Sequence, residues 1–157
     1  MIDPGDVLYR TATEADVEAL ASLRAAFTFE DHEPDVTRPD FPEAFSRVVG
    51  EGIEAGRVTV WLAESGDTIL AHAFVVLVDK IPRPVAGHAF IGYLTNVYTR
   101  PEARGRGIGS QLLEHVTGWA RDTDVELLVV WPSDESVQFY VRAGFESGRD
   151  PLVWESR

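Results

Sequence analysis

Apolar positions along the chain switch between a period of two and a period near 3.6, and the switches divide it into segments. Val7 to Ala12 is short and strand-like. Thr13-Glu14-Ala15-Asp16 has the spacing of a capping box, and Val17, Leu20, Leu23, Arg24 and Phe27 follow at helical intervals, which predicts a first helix ending near Phe27. Thr28 to Pro39 holds two prolines and the charged run Glu30-Asp31-His32-Glu33, a pattern that predicts an exposed loop. Asp40 is placed to cap a second helix with Phe41, Phe45, Val48, Val49 and Ile53 on its apolar side and Gly56 as its stop.

The period of two then returns. Val58 to Ala63 and Ile69 to Val78 flank Glu64-Ser65-Gly66-Asp67-Thr68 and read as a hairpin, the second strand apolar on both faces and therefore central. After the loop Lys80-Ile81-Pro82-Arg83-Pro84, Phe90 to Tyr98 predicts a fourth strand. A helix with Ile108, Leu112, Val116 and Trp119 on one side follows. Val125 to Trp131 reads as a strand apolar on both faces. Ser133 or Asp134 is placed to cap a last helix through Arg142, stopped by Gly144, and Phe145 to Glu155 supplies a final extended segment. The element order is β-α-α-β-β-β-α-β-α-β, a mixed α/β sheet protein. No internal repeat interrupts it.

At 157 residues the chain reads as one domain, 1–157, able to bury roughly two thirds of its unfolded surface. Its 45% apolar and 25% charged residues are those of a soluble globular protein. With no cysteine there is neither a disulfide framework nor a thiol nucleophile. The start of the chain is acidic and lacks an apolar core, and no stretch approaches the length of a membrane span, so the expected location is cytoplasmic, away from the membrane. The net charge of −12 is uneven: residues 1 to 60 carry five Arg against thirteen acids, or −8, and the remainder nine Lys and Arg against thirteen acids, or −4. Nucleic acid is an unsuitable partner for such a surface, whereas a cationic molecule suits it; solubility alone also accounts for the acids.

The densest candidate chemistry is Arg104-Gly105-Arg106-Gly107-Ile108-Gly109-Ser110, directly before the apolar helical pattern. Glycines at alternate positions open the backbone to close approach. A helix starting near Gly107 adds unpaired N–H groups and the positive end of its dipole, and two arginines add full charge. The segment reads as a cradle for a phosphate or pyrophosphate. It is not a Walker A loop, because Ile108-Gly109-Ser110 offers no Lys. As a dinucleotide fingerprint it fits poorly, since the sixth position from Gly105 is Ser110.

Arg104, Gly107 and Gly109 satisfy Arg-x-x-Gly-x-Gly after the run Tyr93 to Tyr98, and Phe139 to Phe145 contains Tyr-x-x-x-Gly-Phe in Tyr140, Gly144 and Phe145. The chain thereby resembles the GNAT superfamily of N-acetyltransferases, whose fold has the element order above. The resemblance covers almost the whole chain, its specific motifs lying between about Tyr93 and Phe145. It implies that the cradle, Arg104 to Ser110, holds the pyrophosphate of acetyl-CoA as co-substrate. It further implies that a bulge in the fourth strand, in the run Asn96-Val97-Tyr98-Thr99, opens the sheet to pantetheine and carries the backbone N–H that stabilises the oxyanion, and that Tyr140 protonates the leaving thiolate. Ser133 stands where relatives often carry an Asn that contacts the pantetheine arm, though capping the final helix suits it as well.

The implied reaction is direct transfer of acetyl to a primary amine on a small molecule or peptide, with no metal. A homodimer is consistent with the resemblance. An alkyl amine with a pKa near 10.4 must lose a proton first, and here the sequence departs from many relatives: the carboxylate positions on the fourth strand hold Thr95 and Asn96. His72, His88, Glu30, Asp31, His32 and Tyr93 remain as proton acceptors, directly or through water. Trp131-Pro132 is placed either to narrow the cleft or to fill the core. The missing carboxylate also leaves a second reading, a non-catalytic acyl-CoA-binding sensor.

Overall fold

The computed structural model describes residues 6–31 and 38–147. Five strands form one open sheet in the order β1 (Leu8–Thr11), β2 (Val58–Ser65), β3 (Thr68–Asp79), β4 (Phe90–Thr99) and β5 (Val125–Val129). All neighbours run antiparallel except β4 and β5, which are parallel. A parallel pair needs a crossover, and α4 (Ile108–Asp122) provides it. The remaining helices are α1 (Val17–Asp31), the short α2 (Phe41–Phe45) and α3 (Glu51–Glu54), and α5 (Val137–Arg142).

Each face of the sheet carries its own core. On one, Leu94, Val75 and the alanines of β3 pack against Ile108, Leu112, Leu113 and Val116 of α4 and Tyr140 of α5. On the other, Val60, Leu62, Phe74 and Tyr98 pack against Leu20 and Leu23 of α1 and Val49. The central strand of the sequence pattern is β3, buried without a break from Ile69 to Val75. Since side chains alternate across the sheet, the cross-strand register assigns Tyr93 (opposite Val76), Thr95 (opposite Phe74) and Tyr98 (opposite His72) to the α1 face.

Several expectations are corrected, the first being that α1 runs on through Asp31 where the pattern predicts a loop from Thr28. The second helical stretch is wound in a wider π turn over Ser46–Gly50, so its apolar stripe shifts: Val49 is buried while Val48 is 62% exposed. Asp40 stands at the N-cap of that helix, its carbonyl accepting the Ala44 N–H at 2.9 Å, but its carboxylate makes no capping bond and accepts instead from Arg38 Nε at 2.7 Å and Nη2 at 2.9 Å. Strand β5 ends at Val129 and leaves Leu127 45% exposed, because among the described residues it pairs with β4 alone. The last helix begins three residues later than expected, its first bonds made to the Ser136 carbonyl. Of the final extended segment, residues 145–147 form no strand and the rest lies outside the described residues. No described helix is long and apolar enough to cross a membrane.

Arg10 of β1 joins the sheet edge to the start of α1. Its guanidinium donates to both Glu64 oxygens at 2.7 and 2.8 Å and to both Asp16 oxygens at 2.8 Å. Asp16 also accepts from the Thr13 N–H at 2.7 Å, as the capping pattern predicts. Arg10 foremost, with Thr13, lowers the Asp16 carboxyl from 3.8 to about 2. A carboxylate depressed on folding adds stability above its unfolded pKa and loses it as pH falls through the folded one. Asp16→Asn is therefore expected to cost roughly 1–2 kcal/mol at pH 7, after discounting for partial solvent exposure. Urea denaturation should show the deficit shrinking as pH is lowered from about 4 to about 2, the ordinary and folded pKa values of Asp16.

Candidate active site

The site begins as a failure of strand pairing. Opposite the β3 segment His72 to Phe74, β4 spends one residue more, Thr95 to Tyr98, and the extra residue makes a bulge. Asn96 takes up the distortion with φ 49°, the one non-glycine residue with positive φ among those described. Asparagine tolerates that conformation better than most side chains. On the other edge, β4 pairs with β5 at Phe90, Gly92 and Tyr93 and no further. Gly92 permits the close approach there, since a Cβ at that position would meet Leu128 Cδ2 at 2.5 Å. Beyond Tyr93 the strands part, leaving the backbone around Val97, Tyr98 and Thr99 open on its β5 side.

His72 holds the bulge from beneath. It is fully buried, and its Nδ1 lies 2.8 Å from the Asn96 carbonyl oxygen. That oxygen can only accept, so Nδ1 carries the proton and Nε2 does not. Burial, opposed by the bond to Asn96, pushes the His72 pKa down to about 4 and keeps the ring neutral at physiological pH. His72 is thus a structural residue, shielded from any amine in solvent.

From Thr99 the chain turns through Pro101–Ala103 into the glycine loop. Gly105 (φ 72°) and Gly107 (φ 78°) are left-handed, and Gly107 leads directly into α4. The first helical bond runs from the Gln111 N–H to the Gly107 carbonyl at 3.0 Å, so the N–H groups of Ile108, Gly109 and Ser110 have no acceptor within the helix. Gly109 serves packing: a Cβ there would lie 3.1 Å from Thr99 Oγ1 and 3.5 Å from the Phe139 ring. The end of β4, the start of α4 and α5 therefore meet at one point.

Next to Phe139 on α5, Tyr140 is 8% exposed and packs edge-on against both Phe139 and Phe145. Burial raises its pKa above the ordinary 10, so the phenol keeps its proton at neutral pH. Ser133 forms a turn in which its hydroxyl donates to Ser136 Oγ and its carbonyl accepts the Ser136 N–H. Trp131 is 58% exposed and meets Tyr93 edge-on at 5.1 Å, flanking the divergence of β4 and β5.

The remaining proton-acceptor candidates separate by position. Glu30 accepts the Tyr98 hydroxyl and an Arg104 N–H, each at 2.6 Å; Arg104 first and Tyr98 second hold its carboxyl below the usual range. His88 pairs with Asp124 at 3.3 Å next to the start of β4; from there to Asn96 the strand runs on the order of 20 Å. His32 and the Asp31 side chain lie outside the described residues. Tyr93 and Glu30 both stand on the α1 face of β4 near the opening, Glu30 already engaged by Arg104 and Tyr98. Sequence reasoning missed three features here: the close-approach role of Gly92, the positive φ of Asn96 and the ion pair of Glu30 with Arg104. An Asn inside a strand pattern was the one readable signal.

Comparison with known proteins identifies the family and the fold. Residues 18–145 match the model of the acetyltransferase (GNAT) family, and the chain belongs to that family. It is 28% identical to an aminoglycoside N(6')-acetyltransferase type 1 of Stenotrophomonas maltophilia, over 87% of this chain and 84% of that one. A 63-residue stretch, 40% of the chain, is 36% identical to part of a probable serine/threonine-protein kinase of Dictyostelium discoideum, of which it spans 8%. Among solved structures, a predicted acetyltransferase of Clostridium acetobutylicum with acetyl-CoA superposes with TM-score 0.79 at 25% identity, covering 95% of this chain and 96% of that one. An aminoglycoside acetyltransferase from an uncultured soil sample, in complex with sisomicin, shares the fold with TM-score 0.74 at 12% identity, covering 98% and 96%.

The loop conformation itself is testable. Gly107→Ala forces a Cβ into the left-handed region at roughly 1–2 kcal/mol, and a melt should show Tm falling by about 2–6 °C. Gly118→Ala, at a helical position where a Cβ meets nothing within 4 Å, should leave Tm unchanged or raise it.

Proposed function

We propose that this chain is an acetyl-CoA-dependent N-acetyltransferase that acetylates a primary amine on a small, cationic molecule by direct transfer. The observation that carries the reading is the convergence at Gly109 of three elements: the end of β4 at Thr99, the start of α4 after the left-handed glycine loop, and α5 through Phe139, whose neighbour Tyr140 is buried. Acetyl-CoA would bring an acetyl group activated as a thioester, and the residues present suit it. Gly105 and Gly107 have open space where a Cβ would stand, and the N–H groups that follow suit a pyrophosphate. The backbone of Val97 to Thr99 suits the amide-bearing arm, with Ser133 across the opening.

Within that arrangement, a free backbone N–H near Val97 would stabilise negative charge developing on the carbonyl oxygen, worth about 3 kcal/mol per donor. Tyr140 would give its proton to the departing sulfur, a role open to a phenol that burial keeps protonated at neutral pH. The amine would approach from the α1 face, opposite Tyr140, where Tyr93 borders the opening and is the group we assign to accept or relay its proton. The aminoglycoside-acetylating relative supports a polyamine acceptor, and the −8 charge of residues 1 to 60 suits one.

Release of CoA thiol from acetyl-CoA, assayed against aminoglycosides, polyamines, amino acids and peptides, should find turnover with a cationic small molecule, and initial rates should intersect rather than run parallel. Ping-pong kinetics would sink direct transfer. Tyr140→Phe should lower kcat by ~100-fold or more while calorimetry shows little change in acetyl-CoA affinity. Tight acetyl-CoA binding with no turnover across the panel would instead favour the sensor reading.

A further inference from the structure

The arginine that opens the glycine loop is turned away from it. Arg104 Nε donates to the Thr99 carbonyl at 2.9 Å, Nη2 donates to Glu30 Oε2 at 2.6 Å, and the guanidinium carbon lies 5.7 Å from the centre of the Tyr98 ring. The other Glu30 oxygen accepts the Tyr98 hydroxyl at 2.6 Å, which closes a circuit of three side chains. Tyr98 in turn stacks on Phe27 of α1 at 5.0 Å and 27°. One guanidinium thus spans the cofactor loop, the end of β4 and the last turn of α1.

We propose that the Arg104 side chain is a positioning residue of the acceptor side, acting through Glu30, and not a ligand of the pyrophosphate. Two edges of the planar fork are committed in fixed directions, which a charge-assisted pair of this geometry holds far better than a single contact would. Swinging the guanidinium toward a phosphate would break both bonds and take from the Glu30 carboxylate the stronger of the two partners that favour its charge, leaving it the Tyr98 hydroxyl. Anion binding does not need that swing, because the loop N–H groups and the start of α4 already offer it. The circuit instead fixes the last turn of α1 against the strand segment that follows Asn96. That is the face from which the amine must come, since Tyr140 occupies the other. The inference rests on the loop being the pyrophosphate site.

The test uses the full chain with Arg104→Ala, Arg104→Lys, Glu30→Gln and the Arg104→Ala/Glu30→Gln double variant, each titrated with acetyl-CoA by calorimetry and each melted. We expect the Kd for acetyl-CoA to stay within about threefold of wild type in all four. We expect each single change to lower Tm and the double to lower it no further than the worse single, as members of one circuit should behave. Arg104→Lys, which keeps the charge and loses the fork, should match Arg104→Ala. With the amine found by the turnover panel, KM for that amine should rise about tenfold in each single variant while kcat changes less than threefold. Tenfold weaker acetyl-CoA binding in Arg104→Ala, restored by Lys and absent from Glu30→Gln, would overturn the proposal, as would additive Tm losses. If wild type binds no acetyl-CoA, the loop reading itself falls, and the proposal's denial of a phosphate role falls with it; the melting cycle then decides the Glu30 circuit independently.

Discussion

A strand buried between two neighbours satisfies its backbone on both edges, and β4 does so only from Phe90 to Tyr93. Everything functional follows from where that pairing stops. Beyond Tyr93, β5 leaves the sheet, and the bulge at Asn96 turns the β4 backbone as it does so. Unpaired backbone groups in a protein interior are costly, so such a gap persists where something else can meet them. Under the function proposed above, a linear, amide-bearing molecule lying in the opening would do this by acting as a temporary strand.

The parts that hold the gap open are small, and each answers to a different force. His72 uses one directional bond, kept intact by burial that denies its ring a charge. Gly92 works by having no side chain, letting β5 close on β4 just before they separate. Gly109 does the same where α4 and α5 meet Thr99. Gly105 and Gly107 contribute conformation, holding the loop in a region that costs other residues roughly 1–2 kcal/mol each. Strain, packing and polarity therefore converge on a stretch of chain from Asn96 to Gly109.

Charge organises the same region on a longer scale. The Arg10 fork secures the outer edge of the sheet to the start of α1, and the Arg104 fork secures the end of α1 to the middle of the site. Both are arginines joined to carboxylates from distant parts of the chain, and both rely on the planar donor geometry that lysine lacks. In a protein of net charge −12, such forks spend cations where they fix geometry and leave an acidic surface elsewhere.

The sequence by itself determined the elements and the loop. Hydrophobic periodicity is local, so the central strand β3 and the buried stripe of α4 were legible, and the glycine spacing marked the left-handed loop before α4 because conformational freedom belongs to the residue type. Tertiary structure decided what depends on contacts between distant residues. Val48 turned outward because the π turn at Ser46–Gly50 shifted the helical phase, and Leu127 stayed exposed because β5 found a partner on one side only among the described residues. Which candidate bases stand at the site, the neutral state of His72, and the union of Glu30 with Arg104 across 74 positions were set by burial and three-dimensional proximity. Neither quantity is written in any local window of the chain.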